Sequence, residues 1–489
     1  MEENNPPRYS GTRWQIRYDT YDGVEEYAIN TLQKILQSYL PYVIQVLPMA
    51  GESMPADCHL VLAGVVHQNP TLQNLLRKCS LPIPKPNQGF TLACTSHPEH
   101  AERRLLILAG GDANGLVYAV HELGKKLAQA IPLVGTAQPV DIHSRRAKLD
   151  GLNDFTISEY PRFQHRGLWT WGYVIHDYRG YLENMARLKM NLLITWNDVP
   201  PINYWRVREF AHQRGIQLIL GFHWGWGIKD LRVTNPQHRA MIKADVLRNY
   251  RQNYQHLDLD GIYFQTITEH HDLTQDGIST AGGACLLVND IASALFEINP
   301  NLKIYFGLHA TSIRSHYIDL ATLDPRVVIM WEDAGSIPFY YDPIEDPAHP
   351  IEETVAYTRE LAAFRPQGEF AFVPKGWSTL RWESEFEHHG PYILGEQDNF
   401  YNRQRAEERQ TRWNLVNALW SRNYVIANRL YRELLSTTGA PLTAAGLVED
   451  AYFELGIQPS VALFAESLWD PTRSEDTILN HAINAYYYR

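Results

Sequence analysis

From Arg162 to about residue 404 the chain repeats one unit: a short apolar run, a polar or aromatic tip, then a stretch of helical spacing. The apolar runs are His165–Trp169, Asn191–Thr195, Gln217–Phe222, Gly261–Thr268, Lys303–Leu308, Arg326–Trp331, Glu369–Val373 and Tyr392–Leu394. Amphipathic periodicity marks Tyr178–Lys189, Tyr204–Arg214, Pro236–His256, Gly283–Ile298 and Ile351–Phe364 between them. Strands joined through helices must run parallel, and parallel strands covered on both faces read as unbroken apolar runs. Eight such units over roughly 250 residues predict a (β/α)8 TIM barrel. The connection at about 375–391 carries little helical pattern and is the weakest repeat.

The flanks read differently. Residues 1–130 form a small α/β domain, with strands at Trp14–Tyr18, Tyr42–Leu47, His59–Ala63, Phe90–Cys94 and Leu105–Ala109 and helices at Val24–Tyr39, Leu72–Cys79 and Leu116–Leu127. Residues 131–161, rich in Pro, Gly and polar side chains, read as a linker to the barrel domain at 162–404. Residues 405–489 read as a C-terminal helical region that either covers the barrel or builds a homodimer. With 489 residues, several domains are expected.

Charge and composition exclude some classes of partner. A net charge of −11 disfavours nucleic acid and anionic membrane surfaces. No run approaches the roughly 18 consecutive apolar residues of a membrane span. The opening MEENNPPRYSG has neither a basic start nor an apolar run, so the expected location is cytoplasmic. Cys58, Cys79, Cys94 and Cys285 are scattered, without CxxC spacing, and read as reduced thiols.

Chemistry concentrates at the strand tips, where barrel active sites are built. The fourth strand, DGIYFQTITE, delivers Glu269, followed by His270 and His271; the sixth delivers Glu332 and Asp333. Two carboxylates on two strands of one barrel are the minimum equipment for breaking a glycosidic bond. Glu269 ends an apolar strand among tryptophans, a setting that raises a carboxyl pKa and suits a general acid. Either Glu332 or Asp333 suits the second role; neighbouring side chains point opposite ways, so one of the two faces the site. Candidate substrate contacts are Trp171, Trp196, Asn197, His223, Trp224, Trp226, His270, His309, Trp331, Lys375, Trp377 and Glu396. Trp224 and Trp226, inside GFHWGWG, read as a sugar platform. No HExxH or paired-ligand spacing supports a metal, and no cofactor is expected. The turn Gly110–Gly115 lacks G-x-G-x-x-G spacing and an acidic residue about 20 positions on, so it reads as a tight structural turn.

Several segments resemble exo-glycosidases that carry a small α/β domain ahead of a barrel. GGDANGLVYAVHEL is similar to the glycine turn and last helix of that domain in family 20 β-hexosaminidases and in the α-glucuronidases of families 67 and 115. YPRFQHRGLWTW looks like the P-x-F-x-x-R-G opening of their barrel, and YLENMARLKMNLLITWND like its first helix and second strand. DGIYFQTITE resembles the α-glucuronidase strand that ends in the general acid, which implies that role for Glu269; VVIMWEDAGSIPF resembles the sixth strand. KGWSTLRW and GPYILGEQ resemble later segments. The likeness covers nearly all of residues 12–420. It departs in two places. Thr268–Glu269 stands where family 20 has an Asp–Glu pair, and Ser336-Ile337-Pro338 stands where family 67 has a water-activating carboxylate.

The resemblance implies an exo-acting hydrolase of oligosaccharides, with an inverting mechanism and a uronic acid as the terminal sugar. Glu332, Asp333 or Glu396 would then supply the base, and Lys375 or Arg381 would pair with a uronate carboxylate. Two other readings stand beside it: an N-acetylhexosaminidase of the same architecture, and a barrel that binds sugar without turning it over.

Overall fold

The computed structural model describes residues 11–49, 57–129, 141–225, 228, 230–269, 272–309, 313–332, 351–366, 368–377, 390–396, 399–448 and 451–488. The chain divides into two compact units, with the main boundary between Pro161 and Arg162.

The first unit is built on a six-stranded sheet in the order Gln45–Pro48, Trp14–Tyr18, His59–Val65, Arg104–Gly110, Phe90–Ser96, Phe155–Glu159. Phe90–Ser96 runs antiparallel to both neighbours, and the other pairs are parallel. Leu72 and Leu76 of the helix Pro70–Lys78 pack on Leu60, Leu62, Leu105 and Ile107 of one sheet face. The expected linker is corrected here. Within 131–161 lie a helix, Ile142–Asp150, and the edge strand Phe155–Glu159, which pairs with Phe90–Cys94. Polar alternation hid that strand, because an edge strand half in water need not be apolar.

The glycine turn behaves as its spacing implied. Asp112 accepts from the backbone N–H of Gln88 at 2.7 Å and of Gly115 at 2.8 Å, capping the helix Ala113–Gln129. A Cβ at Gly111 would sit 1.9 Å from the Lys85 carbonyl oxygen. The backbone at Lys85 and Pro86 therefore packs directly against this turn.

The second unit is a closed parallel barrel of eight strands. In order they are His165–Trp171, Leu192–Trp196, Gln217–His223, Gly261–Gln265, Lys303–Leu308, Val327–Trp331, Phe370–Phe372 and Leu442–Leu447. The eighth strand corrects the expectation of Tyr392–Leu394. The barrel closes 48 residues later (442 − 394), after the long helix Asn399–Thr437. Its sequence, LTAAGL, is poor in β-branched and aromatic residues. Packing explains why: a Cβ on Gly446 would meet Phe464 at 2.8 Å and Trp377 at 3.0 Å. Large rings press against this strand from outside and leave room only for small residues. The barrel domain thus runs past 404, and two C-terminal helices, Pro459–Trp469 and Glu475–Tyr487, follow its last strand.

Alternation sorts the barrel residues into two layers. Trp169, Trp171, Ile194, Trp196, Ile219, Tyr263, Tyr305, Met330, Ala371, Val373, Ala445 and Leu447 form one buried cluster and fill the interior. The alternate positions face the surrounding helices. Thr280–Ile298 is, among the described residues, the one helix long and apolar enough to cross a membrane; Ala281, Ala284, Leu287, Val288 and Ile291 on it are buried within this unit.

The interior is sealed at the N-terminal end by charge. Lys303 Nζ lies 2.8 Å from Glu369 Oε2 and donates to His165 Nε2 at 3.3 Å, while Thr443 and Tyr305 donate to Glu369 Oε1 at 2.5 and 3.3 Å. Burial first, then Lys303, lowers His165 to a pKa of about 4, so it is neutral and able to accept. Burial alone would raise Glu369, but Lys303, His165 and Thr443 outweigh it and hold the carboxyl below its usual range.

Candidate active site

The site lies at the opposite end of the barrel, where the inward register of each strand runs out. Counting by two from the interior tyrosine Tyr263 places Gln265 inward at the tip of the fourth strand, and from Met330 it places Glu332 inward past the sixth. The same count puts His223 inward on the third strand, His309 past Gly307 on the fifth, and Lys375 past Val373 on the seventh. His223 and Gln265 are register partners.

Glu332 is the centre of this ring. The residue is only 5% exposed. Its Oε1 accepts from Gln265 Nε2 at 2.5 Å, and its Oε2 lies 3.2 Å from His309 Nε2. Gln265 Nε2 also reaches the Tyr263 hydroxyl at 3.2 Å. The arrangement needs Gly307 on the intervening strand, since a Cβ there would stand 2.2 Å from the Tyr263 hydroxyl and 2.4 Å from Glu332 Oε1. Beneath lie Trp171 and Trp196, edge-on to one another with ring centroids 5.9 Å apart, and Trp169 packed on both. Trp196 Nε1 donates to Asp198 Oδ2 at 3.2 Å. Both tryptophans are inward but almost fully covered, so they are the floor of the mouth.

Of the two carboxylates on the sixth strand, Glu332 is therefore the one shown to face inward. Asp333, Trp226, His270 and Arg381 lie outside the described residues, as does the side chain of Glu269. The Glu269 backbone closes a single 3-10 turn, Ile267–Glu269, just beyond the end of the fourth strand.

Five expected contacts are placed elsewhere. Trp224 is fully buried and stacks on Phe264 with centroids 3.6 Å apart, and Phe264 stacks on Phe306. That row lies on the outward face of the strands, so Trp224 is core and not a sugar platform. Trp331 turns its ring edge to Tyr357 of the helix Ile351–Phe364 at 5.1 Å. Trp377, with no exposed surface, stacks on Trp420 at 4.3 Å. Asn197 is 1% exposed: its side-chain amide donates to the Tyr392 hydroxyl and its carbonyl accepts from Tyr254 at 2.9 Å. Asn197 braces the loop and leaves little surface for a ligand. Glu396 pairs through its backbone with Asp177 in an antiparallel β-bridge, and its Oε2 lies 3.5 Å from Arg179 Nη1.

Three groups beside the mouth were not singled out from sequence. Gln265 and Tyr263 are two; the signal for them was polar residues at alternate positions in an otherwise apolar strand. Glu454 is the third, accepting from the backbone N–H of His176 at 2.8 Å and of Asp177 at 2.7 Å. Nothing in its local sequence marks it, because its partners lie over 270 residues away. Burial first, then Arg405 and Arg409, lowers the pKa of His176 to about 3. Among the described residues no group of three or more His, Cys, Asp or Glu is arranged to hold a metal ion.

No protein-family model matches the chain, and no curated protein sequence matches it. Solved structures do. A GH138 enzyme targeting pectin rhamnogalacturonan II superposes with a TM-score of 0.52 at 13% identity, over 95% of this chain and 52% of that one. CpGH84B superposes with a TM-score of 0.53 at 12% identity, over 96% of this chain and 70% of that one. The chain thus spans about half the length of the GH138 enzyme. What it shares with both structures is the fold.

Proposed function

We propose that this protein is an exo-acting glycoside hydrolase that removes a terminal sugar, a uronic acid in the finer reading, from an oligosaccharide. The observation that carries the reading is Glu332: a buried carboxylate on the inward register of the barrel mouth, hydrogen-bonded by Gln265 on one oxygen with His309 at ion-pair distance from the other, over a floor of tryptophans. Glu269, presented by the turn beyond the fourth strand, is the proton donor to the leaving oxygen, and Glu332 is the ionised partner. Lys375, three residues past the end of the seventh strand, supplies the cation for a uronate carboxylate. Two solved structures of the same fold, one of them an enzyme targeting pectin rhamnogalacturonan II, lend support to a carbohydrate substrate.

The test is a panel of aryl glycosides and aldouronic oligosaccharides, assayed with the parent, Glu269→Gln and Glu332→Gln. The parent should release one terminal sugar, and each variant should lose roughly 10²–10⁴-fold in kcat/KM. The anomer first released distinguishes inversion from retention. Sugar binding by the parent with no turnover across the panel would refute the hydrolase reading in favour of a binding barrel, and release of N-acetylhexosamine alone would replace the uronate.

A further inference from the structure

We infer that Gln265 and His309 are positioning residues for Glu332, which hold its carboxylate ionised and aimed although it is buried. This rests on the proposed hydrolase reading and assigns roles within the same site.

Burial disfavours the charged form of a carboxyl group, so an inward glutamate with 5% exposure needs a reason to be ionised. The surroundings of Glu332 provide it. Gln265 donates its amide N–H to Oε1 at 2.5 Å, and His309 Nε2 stands 3.2 Å from Oε2, at ion-pair distance without a formed hydrogen bond between the two. Hydrogen bonds to the charged form favour that form, and an imidazolium beside it would favour it more.

The pair is itself held in place. Gln265 Nε2 is anchored on the Tyr263 hydroxyl at 3.2 Å. Gly307 between them leaves the space in which Glu332 Oε1 and that hydroxyl meet. Four residues from two adjacent strands, Tyr263 and Gln265 on the fourth and Gly307 and His309 on and just past the fifth, thus surround one carboxylate from the sixth, and of the four only Tyr263 belongs to the apolar core. Among the described residues, the other titratable groups on this register are Asp198, two positions past Trp196 and bonded to its Nε1, His223 on the third strand and Lys375 past the end of the seventh, with Tyr263 and Tyr305 one layer below.

The sign follows directly. With His309 or Gln265 replaced by a side chain that cannot donate, ionised Glu332 loses support and its pKa rises. The acid limb of the kcat/KM–pH profile then moves to higher pH.

The experiment has two arms on the full chain. In the first, pH profiles of His309→Ala, His309→Gln, Gln265→Ala and the parent are measured on the glycoside the parent turns over. The alanine variants should shift the acid limb upward by about one unit, near tenfold in kcat/KM on that limb, and His309→Gln, which restores an N–H, should recover part of it. Acid limbs that coincide in all four proteins would overturn the inference. In the second arm, ¹⁵N-histidine NMR follows the His309 ring in the parent and in Glu332→Gln, with His309→Gln used to assign the resonance. The His309 ring signals should move when the facing carboxylate is removed, and coincident His309 signals in the two proteins would overturn the pairing. Because the second arm needs no turnover, a parent inactive on every glycoside would sink the hydrolase reading while the cradle was still decided.

Discussion

Gly307→Ala is the sharpest test of how the mouth is built, because competing effects give it opposite signs. In an open strand position, replacing glycine by alanine removes backbone entropy from the unfolded chain and stabilises by about 0.5–1 kcal/mol. Here the new methyl would stand 2.2 Å from the Tyr263 hydroxyl and 2.4 Å from Glu332 Oε1, both inside the closest real approach. Neither neighbour can swing into water, since Tyr263 is fully buried and Glu332 nearly so. Overpacking of this kind costs about 1–3 kcal/mol. Displacing Glu332 also breaks its 2.5 Å bond from Gln265, a hydrogen bond to a charged group worth about 1.5–3 kcal/mol. The two losses share Glu332 and do not add fully, so net destabilisation of about 2–4 kcal/mol is expected. Urea unfolding followed by tryptophan fluorescence reads it, with Gly439→Ala as control, where no atom lies within 4 Å of the new Cβ. The control should stay within about 0.5 kcal/mol of the parent. A Gly307→Ala protein as stable as the parent, or more so, would show that the crowding inferred for this strand is wrong.

Other perturbations read different layers of the barrel. His165, neutral in the folded chain with its pKa near 4 against 6.5 unperturbed, makes the folded state the weaker proton binder. Its contribution is complete above pH 6.5 and is lost as pH falls towards 4, by about 2 kcal/mol at pH 5; His176, lowered to about 3, adds in the same direction. Urea midpoints between pH 7 and 5 should fall less steeply in His165→Gln than in the parent, and parallel slopes would count against a neutral, buried imidazole. Trp224→Ala and Trp377→Ala should each lose about 3–5 kcal/mol of stability while KM, measured on the folded fraction, stays put. A selective rise in KM would return these rings to the sugar site.

The barrel was readable where side chains were large. The runs Lys303–Leu308 and Val327–Trp331 are aromatic or β-branched because they are buried on both faces, and that pattern survives in one dimension. Leu442–Leu447 was not readable, since its small residues answer to Trp377 and Phe464, rings that come from elsewhere in the chain. The site was half readable for a related reason. Polar tips announce which end of the barrel matters, but a ring's direction depends on strand parity. Trp224 follows inward-facing His223, and Trp331 precedes inward-facing Glu332, so each falls on the outer layer. Trp377 escapes even that rule. It sits two positions past Lys375, yet by then the chain has left the strand, and the ring is drawn out to stack on Trp420. Tyr263 and Gln265 were hidden by their apolar neighbours on the same strand.

The barrel interior has two polar layers, and the difference between them is the physical ground for placing chemistry at the mouth. At the N-terminal end, Glu369 takes three donors from Lys303, Thr443 and Tyr305, and the neutral His165 accepts from Lys303. Charge there is cancelled by charge within one shell, as a structural plug requires. At the C-terminal end, among the described residues, the same register carries Glu332, Asp198, two histidines, an amide and a lysine. Gln265 and His309 converge on Glu332. Between the two layers lie Trp169, Trp171, Trp196, Tyr263 and Met330, close-packed and nearly without exposed surface. That apolar plate separates the plug from the mouth and lowers the dielectric under Glu332, which strengthens every donor aimed at it. A fold that only needed to be stable could have repeated the self-cancelling plug at both ends. This one ends instead in a cradle around one anion, with cationic and hydrogen-bonding groups arranged beside it.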